Sequence, residues 1–256
     1  MKFDDLDARM RVYETAHDRF VPRDVLMVAR LDGRGFTRLT KEVLDLEAPF
    51  DVRMRDAMLA TVEHLMDCGF DVLYGYTQSD EISLLFDSAE RSFGRKVRKY
   101  NSILAGEGSA RLSLLLGKVA CLDCRICELP TPAIVVDYFR WRQEDAYRNA
   151  LSAWCYWEQR KRGASARQAT DALLKMSSSE KRSLLAGFDI DFDTLPAWQR
   201  HGAGIVWETY EKSGRNPVTG DTVTAFRRRL ARNLELPTGK VYGRFIEVVL
   251  NPITCP

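Results

Sequence analysis

Two short apolar runs, Val72 to Tyr76 and Ile82 to Phe86, stand either side of Thr77-Gln78-Ser79-Asp80-Glu81. Runs of this length around so brief a polar break read as the arms of a β-hairpin. A lone hairpin is marginal in water, so the flanking segments must supply more strands and a covering layer. Upstream, Val25 to Leu31 is β-branched and apolar enough for a buried strand, ending at Asp32-Gly33-Arg34-Gly35-Phe36, where two glycines allow a tight turn. Asp51 to Cys68 carries a helical stripe (Val52, Met58, Leu59, Val62, Leu65, Met66) closed by Gly69. Downstream, Phe93 to Leu116 reads as a helix, basic at its start, and Lys118 to Leu129 as a strand before Pro130-Thr131-Pro132.

With an opening helix over residues 4–20, the order is β-α-β-β-α-β, which predicts an α+β fold of the split βαβ, ferredoxin-like kind also seen in polymerase palms. Ala133 to Arg162 then reads as a long aromatic-rich helix, followed by helical stretches at Ala166 to Met176 and Ser179 to Leu185. Strands at Gly204 to Tyr210 and Thr222 to Arg228, around Ser213-Gly214-Arg215-Asn216-Pro217, come last. The expected division is a palm catalytic domain at 1–132 and a helical C-terminal extension with a terminal β-hairpin at 133–256, packed on the palm.

At 256 residues the chain can bury a core without disulfides, and it holds no apolar run of the roughly 20 residues needed to span a bilayer. Met1 leads into an acidic stretch with Asp4, Asp5 and Asp7 rather than a secretion signal, so a cytoplasmic location and no membrane partner are expected. The formal net charge of +2 taken whole argues against a polyanionic partner. Yet residues 1–90 hold 11 Lys and Arg against 19 Asp and Glu, whereas residues 91–256 hold 27 against 17. Either the first part binds cations and the rest binds anions such as phosphates, or solvated faces simply differ in sign. The first alternative makes a spatial claim: the two parts meet at a cleft between Asp32, Asp80 and a helix starting at Arg95 to Lys99.

In a split βαβ sheet the first and third strands are neighbours, so Asp32 can converge with Asp80 and Glu81. Carboxylates within about 4 Å repel unless a cation neutralises them, and Mg²⁺ favours one or two carboxylates together with phosphate oxygens. Each acid also has a plainer reading: Asp32 as a turn residue before glycine, Asp80 and Glu81 as solvated hairpin acids. Arg95, Lys96, Arg98 and Lys99 at a helix start would oppose the helix dipole, a cost that a bound polyphosphate would offset; a solvated basic face is the competing reading.

Ala29-Arg30-Leu31-Asp32-Gly33-Arg34-Gly35-Phe36, then Gly75 to Glu81, then Asp137-Tyr138-Phe139-Arg140-Trp141-Arg142-Gln143 resemble, in this order, the tRNA-His guanylyltransferase family of 3′-to-5′ nucleotidyltransferases. Leu129-Pro130 and Asn149 favour its guanylyltransferase-like members, which repair tRNA 5′ ends. The resemblance implies a polymerase-like palm, a homotetramer, and Mg²⁺-dependent addition of nucleotides to the 5′ end of tRNA. Two Mg²⁺ would sit on Asp32, the carbonyl of Gly33 and Asp80, with Glu81 in support as a third catalytic acid. The nucleotide pocket would run from Asp32, Gly33, Arg34, Gly35, Phe36 and Thr37 to Ser79 and Asp80. Arg95, Lys96, Lys99 and Asn149 would grip the triphosphate of GTP, ATP or another nucleoside triphosphate. A 5′-monophosphate end is activated with ATP, or arrives as a triphosphate; the 3′-hydroxyl of the incoming nucleotide then attacks, and pyrophosphate or AMP leaves.

Arg227, Arg228, Arg229 and Arg232 are candidates for contacts to the RNA backbone, or else a charged strand end kept soluble. Three positions depart from the family pattern: Ala48 where a Lys is expected, Tyr147 where a His is common, and Trp154 in place of a polar residue. Cys121, Cys124 and Cys127 have metal-ligand spacing, but residues three apart on a strand point to opposite faces. Lys175-Met176-Ser177-Ser178-Ser179 reads as a serine-capped helix start.

Overall fold

The computed structural model describes residues 2–215 and 221–251. Six strands, β1 (Leu26–Arg34), β2 (Val72–Gln78), β3 (Glu81–Phe86), β4 (Cys121–Leu129), β5 (Ala203–Arg215) and β6 (Thr222–Asn233), form one antiparallel sheet in the order β4-β1-β3-β2-β5-β6. The first four, ordered 4-1-3-2, are the expected split βαβ arrangement. The other two belong to the second half of the chain and extend the same sheet, because β5 pairs with β2 from Tyr74↔Val206 to Thr77↔Ala203.

The helices are α1 (Phe3–Thr15), a short α2 (Phe36–Arg38) that runs into a π-helical turn at Leu39–Val43, α3 (Val52–Met66), α4 (Val97–Leu116), α5 (Pro132–Lys161), α6 (Ala166–Leu173), α7 (Ser178–Ala186), α8 (Ala197–His201) and α9 (Gly239–Leu250). Strand alternation divides the sheet between two layers. Met27, Ala29 and Leu31 with Ile82, Leu84 and Phe86 pack against Leu59, Val62, Leu65, Leu104 and Leu112 of α3 and α4. Val28, Leu85, Tyr74 and Tyr76 face the other way, onto Val135 and Phe139 of α5 and Tyr242 and Ile246 of α9. Both faces are covered, which is why the strands read as nearly unbroken apolar runs. A third cluster, with Leu151, Cys155, Leu185 and Phe192, ties the far half of α5 to α7.

Several boundaries differ from expectation. Strand β1 does not stop at Asp32 but pairs with β4 as far as Arg34, and Gly35 with φ 72° makes the turn. The hairpin loop shrinks from five residues to Ser79-Asp80, because Gln78 and Glu81 pair and Ser79 takes the left-handed conformation. Helix α4 starts at Val97 rather than Phe93, since Phe93, Gly94 and Arg95 all have positive φ. The C-terminal hairpin is not terminal: α9 follows it, burying Tyr242 and Ile246 four residues apart. Asn216 and Pro217 of the expected turn lie outside the described residues. Cys124 packs on the α3/α4 side and Cys127 on the α5 side. None of the described helices is long and apolar enough to cross a membrane.

Candidate active site

The register of β1 against β3 sets Asp32 directly across from Glu81. Both side chains lie on the α5 side of the sheet, and so does Arg30, two residues before Asp32 on the same strand. The Arg30 guanidinium bridges the two acids, at 3.1 Å from Asp32 and in closer contact with Glu81. The second oxygen of Glu81 accepts from Arg142 of α5 at 3.2 Å, and Arg142, only 4% exposed, also meets Asp145 at 3.4 Å. Glu81 is therefore enclosed by guanidinium groups, whereas Asp32 keeps a more open setting with Arg125 at 3.7 Å.

Asp80 lies on the other side of β1. An ideal Cβ built on Gly33 would stand 2.5 Å from Asp80 Oδ2 and overlap the Phe36 ring, so the absent side chain is what lets this carboxylate approach the strand. Burial pushes the Asp80 carboxyl above its ordinary pKa, and the nearby charges of Asp32 and Glu81 push the same way. The Ser79 hydroxyl donates to it at 3.1 Å. Such a group favours a cation. Among the described residues no three His, Cys, Asp or Glu side chains cluster closely enough to hold a metal by themselves. The Asp80 carboxylate is a hard oxygen donor, suited to an ion that completes its shell with water or phosphate, while Asp32 on the opposite face of β1 is held by Arg30.

Asp80 borders a cavity of about 440 Å³ walled by Phe36, Thr37, Lys41, the segment Leu44–Asp51, Thr77 to Ser79, Trp157 and Trp198. Its volume falls within the usual range for a small-ligand site. Of the eight residues expected at a nucleotide pocket, Phe36, Thr37, Ser79 and Asp80 line it, and Asp32, Gly33, Arg34 and Gly35 do not. Gly33 stands behind Phe36 and Asp80. Arg34 instead lines a separate depression with Ser109 of α4, Cys121 and Asp123.

The basic helix start is not part of this cleft. Arg95 is 3% exposed and donates to the carbonyls of Arg23 and Val25, at the opposite end of β1 from Asp32. Seven residues of strand put about 23 Å between Val25 and Asp32. Lys96 and Arg98 both pair with Asp18, the former at 2.7 Å, and the Lys99 ammonium lies over the Phe93 ring at 5.6 Å. Within one chain, then, Arg95, Lys96 and Lys99 do not converge with Asp32 and Asp80, and the spatial claim drawn from the charge division fails. Arg95 is a structural clamp: its positive φ turns it inward, where it satisfies strand-end carbonyls. Asn149 is exposed on α5, beside Asp145 at 3.4 Å. Arg227, Arg228 and Arg229 are exposed on β6; Arg228 lies over Trp207, Arg229 meets Glu208 at 3.3 Å, and Arg232 is held by Glu63 at 2.7 Å. Tyr147 accepts from Arg182 at 2.9 Å and stacks on His201.

Lys41, Arg55, Trp157 and Trp198 line the cavity without having been singled out for it. The signal for Lys41 was its place just after the Asp32-to-Thr37 motif. Trp157 and Trp198 come from distant parts of the chain, and of the two only Trp157 stood out in the sequence, as one of the α5 aromatics that could stack on bases or form core. Arg30 and Arg142 both lay inside the quoted motifs, and their joint role needed the sheet register.

The model of tRNAHis guanylyltransferase matches residues 7–130, and that of the Thg1 C terminal domain matches residues 133–235. A probable tRNA(His) guanylyltransferase of Drosophila melanogaster is 30% identical over 195 residues, covering 72% of this chain and 68% of the relative. The tRNA(His) guanylyltransferase 1 of Arabidopsis thaliana is 26% identical over 216 residues; this chain spans 80% of itself and 38% of that relative. A bacterial tRNA(HIS) guanylyltransferase (Thg1)-like protein, solved in complex with ATP and with GTP, superposes with a TM-score of 0.75 at 25% identity, covering 96% of this chain and 99% of that one. The strand order, the paired motifs at Asp32 and Asp80 and these matches agree: the chain belongs to the tRNA-His guanylyltransferase family of tRNA nucleotidyltransferases.

Proposed function

We propose that the protein adds nucleotides to the 5′ end of tRNA in the 3′-to-5′ direction, taking a nucleoside triphosphate such as GTP or ATP into the cavity beside Asp80. The observation that carries this reading is the Asp80 carboxylate lodged against Gly33 at the edge of that cavity. The solved relative with ATP or GTP bound supports the ligand class.

Asp32, the Gly33 carbonyl and Asp80 would hold the Mg²⁺ ions, for which their hard oxygens and the bare Gly33 Cα leave donors and room. When bound, Mg²⁺ neutralises phosphate charge and stabilises attacking and leaving oxygens. The protein's own contribution is placement more than proton transfer. Arg30 and Arg142 fix Glu81, and through Arg30 the orientation of Asp32, so Glu81 acts as a positioning residue. Thr37 and Ser79 offer hydroxyls to the ligand. The 3′-hydroxyl of the bound nucleotide attacks the activated 5′ phosphate of the RNA, forming one phosphodiester, and pyrophosphate or AMP departs.

Exposed Arg227 to Arg229 suit sequence-independent contact with an RNA backbone. A homotetramer is part of this reading, supported by α1, where Phe3, Leu6, Met10 and Tyr13 form an apolar stripe with no buried residue. A cytoplasmic setting accords with five unbridged cysteines among the described residues. The test is to incubate the protein with Mg²⁺, nucleotides and a tRNA lacking its first 5′ nucleotide, and to resolve products by length. Growth at the 5′ end is expected, and Asp80→Ala should abolish it while RNA affinity stays nearly unchanged. A cyclic nucleotide, 3′ extension, or RNA binding without extension would overturn the reading.

A further inference from the structure

The cavity beside Asp80 is walled by four acidic residues, Asp45, Glu47, Asp51 and Asp80, against two cationic ones, Lys41 and Arg55. A polyphosphate entering it needs positive charge that is not already committed. Arg55 is committed: it pairs with Asp56 at 2.9 Å and lies over Trp198 at 4.9 Å. Ala48 lines the cavity and brings no charge.

Lys41 is different. It stands in the π-helical turn Leu39–Val43, and the neighbouring acid Glu42 is taken by Arg38 at 3.6 Å. Among the described residues the Lys41 ammonium has neither a carboxylate partner nor a hydrogen bond. Two aromatic rings of α5 hold it instead, with Nζ 5.1 Å from the centre of Tyr156 and 5.2 Å from that of Trp157. Ring faces attract a cation without accepting its N–H groups in full hydrogen bonds, so the ammonium is held in place while its donors stay available. Trp157 itself lines the cavity, which puts the clamp at the wall rather than on a remote surface. The charge comes from the acidic first part of the chain and the clamp from the second.

We propose that Lys41, clamped by Tyr156 and Trp157, is the phosphate-binding cation of this cavity, meeting the phosphates of a nucleoside triphosphate seated beside Asp80. The proposal rests on reading the cavity as the nucleotide site, and the test separates the two.

Binding of GTP and of guanosine to the full chain is measured by calorimetry for the wild type, Lys41→Met and Lys41→Arg, with melting temperatures confirming that each is folded. Loss of one charge-assisted phosphate contact should weaken GTP binding about 10- to 100-fold in Lys41→Met. Guanosine affinity should be unchanged, the salt dependence of GTP binding should flatten, and Lys41→Arg should keep most of the affinity. Equal GTP affinities for wild type and Lys41→Met overturn the proposal. So does an equal loss for GTP and guanosine, which would mean that Lys41 only props Trp157. A wild type that binds no GTP removes the nucleotide reading itself, and this proposal with it.

Discussion

At the scale of single residues, the site depends on one missing side chain. Gly33→Ala should abolish nucleotide addition while circular dichroism stays that of the wild type, because the new Cβ would push Asp80 and Phe36 away from β1 without touching the sheet's hydrogen bonds. His201 gives a pH signature. Burial, reinforced by Arg200, pushes its imidazole down to about 4 from 6.5. A histidine depressed on folding leaves the unfolded chain binding more protons between those values, so stability holds above about pH 6.5 and falls as pH drops towards 4. Melting temperatures across that window should therefore fall for the wild type and be flatter for His201→Gln. Asp51 acts in the same direction at lower pH: its carboxylate caps α3, accepts N–H donors from Arg53 and Glu47 at 2.7 Å, and is held well below the usual carboxylate range chiefly by the Arg53 side chain. That Asp32 would lie beside the hairpin acid Glu81 was legible from topology. The enclosure of Glu81 was not, because it depends on which strand face two arginines share.

At the scale of elements, local chemistry predicted best where the chain signals its own ends. The serine-capped start read within Lys175 to Ser179 is a full capping box of Ser177 with Glu180, and an unanticipated one joins Ser165 to Gln168. Ser177→Ala should lower stability by about 1 kcal/mol in chemical denaturation and leave GTP affinity unchanged, since no residue of α7 lines the cavity. The start of α4 was misjudged for a physical reason. Its basic residues looked helical by composition, but Phe93, Gly94 and Arg95 adopt left-handed backbone and deliver Arg95 to the carbonyls at the base of β1. Tertiary hydrogen bonding overrode local propensity there. In α9, Tyr242 and Ile246 fill the space between α5 and β2, a demand invisible until the sheet exists.

At the scale of the whole molecule, Arg142 straps the second half of the chain onto the β2–β3 hairpin. It is nearly buried, links Glu81 to Asp145, and rests on the Trp141 ring at 3.5 Å. Arg142→Met should cost about 2 kcal/mol in denaturant unfolding, because it leaves the half-buried Glu81 with one partner fewer. Nucleotide addition should fall with it, and Arg142→Lys should restore only part of both. The charge division along the chain does not map onto two walls of one cleft. The cavity's cations, Lys41 and Arg55, come from the acidic part, and the Arg95-to-Lys99 group lies at the far end of the sheet.

What the sequence by itself determined is the order and type of the central elements, the acids Asp32 and Glu81 on neighbouring strands, and the family. Strand and helix periods, glycine turns and ordered motifs act over short stretches and survive in one dimension. Only the tertiary structure decided which charges meet. Arg30 and Arg142 converge on Glu81, Arg95 is spent on main-chain carbonyls, and two aromatic rings more than a hundred residues away close over Lys41. Such partnerships depend on sheet register and helix docking, and an ion pair needs its atoms within about 4 Å, so no spacing along the chain encodes them.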